Sequence, residues 1–323
     1  MERRGHHPPH HARLLDPSAT DPIGHARAAT ATVTDLEQLA ERYHALYDTA
    51  DPAALLTSVA AHVRMAQDTL RQDPAPDERR RLLRNLAEAA ILAGRLAADD
   101  LGNAMSGRAY YSLALDAARE LADDQLIAIA HGYAAQLVSA EGLTAAVLDQ
   151  LTAVSEHAWS TPVITSWLAI TEATIHADQG DHAAAREAID RAQTALNQPG
   201  SRPVPAWFHY GDAAHLRAAT GRVLLRAGNH SGACDVLTAA LHDLRPTARR
   251  QRLLVLVDLA TAELHSSNFP AACSRATQAA DLLQHACYAT GVAQLRAFRD
   301  AAARPIGPRT LRVPDEYLGD VAA

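Results

Sequence analysis

The stretch ADQGDHAAAREAIDRAQTAL, residues 177–196, returns in altered form as LRAGNHSGACDVLTAAL at 225–241. Both copies set a Gly, an acidic or amide residue and a His ahead of spaced alanines. Related turn residues stand at Gly102-Asn103, Gly142-Leu143, Gly180-Asp181, Gly228-Asn229 and Ser267-Asn268, at intervals of 40, 38, 48 and 39 residues. The long interval holds NQPGSRPVPA at 197–206, which reads as an enlarged loop between helices. Five residues past each turn come Gly107, Val147, Ala185, Ala233 and Ala272; nine past come Tyr111, Leu151, Ile189, Leu237 and Ala276; twelve past come Ala114, Val154, Ala192, Ala240 and Ala279. Steps of four and then three keep these residues on one helical stripe, and small side chains on it let two helices approach closely. Each unit is therefore expected to be a helix, a tight turn and a second helix. Such a hairpin cannot bury its own apolar face, so the units must stack.

Composition supports an all-α chain. Hydrophobic residues make up 48% of the 323 residues but aromatics only 4%, so the apolar content is mostly Ala and Leu, both strong helix formers. All 30 basic residues are arginine, which removes lysine Schiff-base chemistry and the phosphate-loop lysine. A net charge of −7 argues against autonomous nucleic-acid binding, which calls for a basic face. The start MERRGHHPPHHARLLDPSATDP lacks the apolar segment of a secretory signal, and windows such as QLIAIAHGYAAQLVSA at 125–140 fall short of the roughly 20 apolar residues a membrane span needs. A soluble, cytoplasmic protein is expected. Three cysteines without CxxC spacing point away from a disulfide framework or a zinc site; Cys234 and Cys273, at equivalent repeat positions, read as small buried residues.

Upstream of the repeats, Thr34 and Glu37 stand in capping-box register and are expected to start a helix, Asp51-Pro52 a second, and DPAPDE at 73–78 a third. Residues 1–32, rich in His and Pro, and 304–323, with three prolines, read as tails around a helical repeat domain over 33–303.

The turn-and-alanine pattern resembles the tetratricopeptide repeat, best in LGNAMSGRAYYSLAL, QGDHAAAREAIDRAQTAL and AGNHSGACDVLTAAL. The period exceeds the usual ~34 residues, implying longer helices or loops. The segments VTDLEQLAERYHALYDTADPAALL, RRLLRNLAEAAILAGRLAADDLGN and RAYYSLALDAARELADDQLIAIAHGYAAQLVS look like the C-terminal sensor region of actinobacterial Cro/repressor-type helix-turn-helix transcriptional regulators. That resemblance covers about residues 33–290. It implies a tetratricopeptide-like α-solenoid, a right-handed superhelix of antiparallel helix pairs, that senses a ligand or partner. The DNA-binding domain of that family is not matched, since only about 30 Pro- and His-rich residues precede the first expected helix.

Catalytic constellations are scarce. His209, Asp212 and His215 in HYGDAAH are spaced for one face of a helix and make a metal-dependent enzyme the weakest of three readings. Asp99-Asp100 and Asp123-Asp124 fit helix-end caps better than acid/base pairs. The arginines at 79–84 and 245–252 read as solvated helix faces. No cofactor motif is present, and the expected class is not an enzyme.

Function is expected in the concave wall built by the first helix of each pair. The inward positions implied by the resemblance are Gln136, Trp167, Thr174, Asp178, His215, Arg222, Arg226, Thr261 and His265. Their mix of an indole, hydrogen-bonding groups and arginine forks suits a peptide, a protein segment or a small signalling molecule, with Trp167 equally able to serve as inter-repeat core. The expected role is regulatory binding in transcriptional control, without direct nucleic-acid or membrane contact, and a homodimer is compatible with it. A structural adaptor without a diffusible ligand is the alternative.

Overall fold

A computed structural model of the chain describes residues 22–140, 144–158, 161–200, 202–283 and 288–306, with side chains described over 32–139, 147–154, 161–200, 202–283 and 288–303. Among these the protein is all-α, with no strand. The helices are α1 (Pro22–Leu46), α2 (Pro52–Leu70), α3 (Pro76–Arg95), α4 (Ala104–Leu121), α5 (Asp124–Ala140), α6 (Thr144–Ala158), α7 (Pro162–Asp178), α8 (His182–Leu196), α9 (Ala213–Arg226), α10 (His230–Asp243), α11 (Arg249–His265), α12 (Phe269–Leu283) and α13 (Ala289–Ile306). A π-helical turn, Leu96–Asp100, follows α3.

Local chemistry makes the hairpins. At Gly102, Gly180, Gly228 and Ser267 φ is +67°, +81°, +78° and +59°, so each expected turn outside the undescribed Gly142 unit passes through the left-handed region. The next amide closes a long bond back into the preceding helix, from Asp181 to the His176 carbonyl, Asn229 to Leu224 and Asn268 to Glu263, the Schellman arrangement that satisfies carbonyls at a helix end. Asn103, Asp181 and Asn229 then cap the following helix by accepting from the amides of Ser106, Ala184 and Gly232. One dipeptide thus stops one helix and starts the next.

The stripe deduced from the repeat is the buried seam. Tyr111, Leu151, Leu237, Ala276, Ala114, Ala192, Ala240 and Ala279 are all buried, while Ile189 packs partly buried beside Ala188 and Ala192. Each fully buried Leu on it contributes about 1.5–3 kcal/mol. The large stripe residues sit against glycines of the preceding helix, Tyr111 on Gly94 and Leu237 on Gly221.

Each helix packs on its chain neighbour, and α1, α3, α5, α7, α9, α11 and α13 also pack in succession, forming one row with the even-numbered helices outside it. The row curls back on itself. The start of α13 touches the π-turn, where Thr290 donates to the Asp99 carbonyl at 3.2 Å. Arg250, at the start of α11, donates to the Tyr47 carbonyl at 2.7 Å across 203 residues of sequence.

Several expectations need correction. Thr34 and Glu37 lie inside α1, which starts at Pro22, because the Ala-rich run before them is itself helical; both side chains bind Arg81 of α3, at 2.9 and 2.6 Å. The first arginine cluster lies on a solvated face as expected and in addition makes interhelical ion pairs there, Arg79 to Glu120 and Arg84 to Asp123. Asp51 does cap α2, accepting from the Ala54 amide at 2.8 Å. Cys234 and Cys273 are half-buried, since they stand one residue beyond the seam.

Candidate functional site

The inner faces of the odd helices converge on a cavity of about 220 Å³. Tyr47 follows α1; Arg95 and Asp99 come from the end of α3 and its π-turn; Tyr133 and Gln136 from α5; Trp167, Ile170 and Thr174 from α7; His215, Ala218, Ala219 and Arg222 from α9; Arg250, Gln251, Leu254, Val255 and Asp258 from α11; Tyr288 precedes α13. The loop 197–212 supplies Tyr210. That loop is not a surface excursion. Gln125 donates to the Pro203 carbonyl at 3.1 Å and to Thr161 at 3.0 Å, drawing the loop inward. Trp207 then stacks on His44 at 4.6 Å, Phe208 meets Trp167 edge-on at 5.3 Å, and Tyr210 meets Tyr133 at 6.2 Å. An aromatic plug closes one side of the cavity.

Arg95 lines the cavity and is 5% exposed. Its guanidinium sits 4.1 Å from the Tyr47 ring centre, 4.9 Å from Tyr210 and 5.0 Å from Tyr133, and it donates to the Tyr210 hydroxyl. Arg250 shares the Tyr47 ring at 4.0 Å and donates to Asp100 at 2.6 Å, in a pair whose side chains are 8% and 0% exposed. Arg250 alone of the second arginine cluster is thus buried, with Arg245 exposed and Arg249 and Arg252 half-buried, and Asp100 is its buried partner where a helix cap was expected. Burial pushes Asp99 up to about 7, with the Arg95 and Arg250 charges opposing and Asp100 adding to it. Asp100 is raised by the same burial, held back by Arg250. Asp123, by contrast, caps α5 as expected, accepting from the amides of Gln125 and Leu126 at 3.1 and 3.2 Å.

The residues singled out from sequence divide between two hollows. Gln136, Trp167, Thr174, His215 and Arg222 line the central cavity. Arg226, Thr261 and His265 line a second hollow of about 240 Å³ between α9, α11 and α13, and Asp258 borders both. Asp178 stands apart as the clamp on the arginines, accepting from Arg222 at 2.9 Å and Arg226 at 2.8 Å, with Asp258 a further 3.8 Å from Arg222. The two forks expected to grip a ligand carboxylate are therefore engaged by the protein's own. Trp167 is 3% exposed, so it serves as core and cavity wall together. Gln136 donates to Thr171 at 3.3 Å, and Thr174 to the Thr171 carbonyl at 2.8 Å. His265 stacks on His230 at 4.7 Å.

The HYGDAAH spacing does not put three ligands on a helix. His209 lies in the loop, Asp212 is the N-cap of α9, and His215 donates to it from both its amide and Nδ1 at 2.9 and 2.6 Å. Among the described residues no group of three His, Cys, Asp or Glu side chains is placed to hold a metal ion, and no helix is long and apolar enough to cross a membrane. Sequence reasoning missed Arg95, Tyr47, Tyr133, Tyr210 and Arg250. A signal existed for Arg95, the lone charge in AAILAGRLAA at 89–98. In comparisons with known proteins, no family model and no curated protein matches the chain.

Proposed function

We propose that the chain is a non-enzymatic receptor, a tetratricopeptide-like right-handed solenoid of antiparallel helix pairs that holds a small signal in its central cavity. In this reading the bound signal alters the curl of the helix row and so the protein partner it engages, within bacterial transcriptional control. One observation carries it: a single cavity touches α3, α5, α7, α9 and α11 together with the loop 197–212. A ligand there contacts elements that otherwise meet only pairwise, so differential binding can shift the balance between curled and relaxed forms. A volume of about 220 Å³ suits a small molecule rather than an extended peptide, and Tyr210, backed by Phe208 and Trp207, is part of its wall.

Thermal-shift screening of small molecules, followed by small-angle scattering with and without each hit, tests this. Hits should raise the melting temperature and change the radius of gyration, and Ala218→Phe, which fills the half-buried cavity wall, should abolish both effects. A screen in which nothing binds, together with partner pull-downs indifferent to Ala218→Phe, would leave the adaptor reading in its place.

A further inference from the structure

We propose that the central cavity selects a small organic monoanion, a carboxylate on an aromatic or aliphatic body, and that Arg95 meets its charge. This rests on the receptor reading above and names its ligand class.

The argument begins with charge balance at the wall. Three arginines border the cavity, Arg95, Arg222 and Arg250. Arg250 is matched by Asp100 at 2.6 Å, and Arg222 by Asp178 at 2.9 Å. Arg95 differs from both. Among the described residues no carboxylate oxygen lies within 4.0 Å of it; its partners are three tyrosine rings and one phenol hydroxyl, and its buried Nε has no hydrogen-bond partner. A guanidinium cannot shed its proton, so burial without a counter-ion leaves a charge that aromatic faces offset only in part. Of the carboxyls whose charge reaches Arg95, Asp100 is engaged by Arg250 at 2.6 Å, and burial pushes Asp99 up to about 7. The remaining demand is for an anion arriving from outside.

The rest of the wall sets the body of that anion. Trp167, Ile170, Ala218, Leu254 and Val255 give the cavity an apolar wall, and Arg222, which also lines it, is already held by Asp178 and Asp258. A ligand with one charged tip and a compact apolar body satisfies both, the usual division of labour in a small-molecule site. A cationic ligand is excluded by the same geometry, because the tyrosine cage already surrounds a guanidinium.

Isothermal titration of the full chain with phenylacetate and hexanoate, their amides and the corresponding amines is the test. The acids should bind at least tenfold more tightly than the amides, and the amines should give no heat. Arg95→Met should cut the acid-to-amide affinity ratio at least tenfold, and Ala218→Phe should block every probe. The acid-to-amide ratio is read on the unaltered chain, so the test stands even if Arg95→Met fails to fold. Amides or amines that bind as well as the acids, and are blocked by Ala218→Phe, would overturn the anion inference while sparing the receptor reading. No binding by either acid would likewise overturn the anion inference, while the receptor reading falls only with the thermal-shift screen.

Discussion

Gly94 and Gly180 are required for opposite reasons. A Cβ at Gly94 would collide with the Tyr111 ring, whereas nothing lies near Gly180, whose constraint is its φ of +81°. Gly94→Ala should cost about 1–3 kcal/mol by overpacking, and Gly180→Ala about 1–2 kcal/mol by backbone strain, both read from urea unfolding. Tyr111→Leu should relieve the first loss and leave the second untouched. Gly180 was legible in the sequence because its partner is the adjacent Asp181; Gly94 was not, because its need is created by a helix that has yet to follow. Asp99 adds a pH signature. Burial raises it from an ordinary ~3.9 to about 7, so the native state keeps a proton that the unfolded chain releases. This contribution to stability should fall as pH climbs from about 4 to about 7 and stay lost above that. Asp99→Asn should flatten the slope in urea midpoints measured between pH 5 and pH 8, leaving the smaller share of Glu88, which burial also lifts to about 7.

The element that sequence reading served least well is the loop 197–212. NQPGSRPVPA announces a loop, but proline and glycine say nothing about where it goes. Its course is set by WFHY at 207–210, whose partners His44, Tyr133 and Trp167 belong to α1, α5 and α7. His44 makes this docking responsive to acid. Burial, reinforced by the Arg95 and His209 charges, lowers its pKa to about 3. The unfolded chain therefore takes up a proton near pH 6.5 that the native state refuses, so this contribution to stability is present above pH 6.5 and lost on acidification toward 3. His44→Phe keeps a ring for Trp207 to stack on and should remove that acid sensitivity in melting curves. Phe208→Ala, emptying a buried site, should cost about 3–5 kcal/mol by chemical denaturation.

Across the whole molecule the repeat period was readable, and so were the turns and the seam, because all depend on residues within one unit. The curl was not readable, since it rests on single contacts between the two ends of the row. Arg250 with Asp100, and Thr290 with the Asp99 carbonyl, tie α11 and α13 to the π-turn. A helix row coupled only to its neighbours unfolds piecemeal, whereas one tied end to end must come apart together. Asp100→Asn removes the buried carboxylate paired to Arg250, leaving only the half-exposed Asp48 at 3.4 Å, and should cost about 3 kcal/mol. The same change should split one unfolding transition into two when helix content and tryptophan fluorescence are followed in parallel.

The π-turn Leu96–Asp100 is one residue wider than an α-helical turn, its Leu101 amide reaching back to the Leu96 carbonyl. Removing Ala98 would let α3 run on in regular register and swing everything after the cut by about 100°. A single deleted codon, changing no charge and no apolar volume of note, would then turn both neighbouring aspartates away from Arg250 and unlatch the ends of the protein.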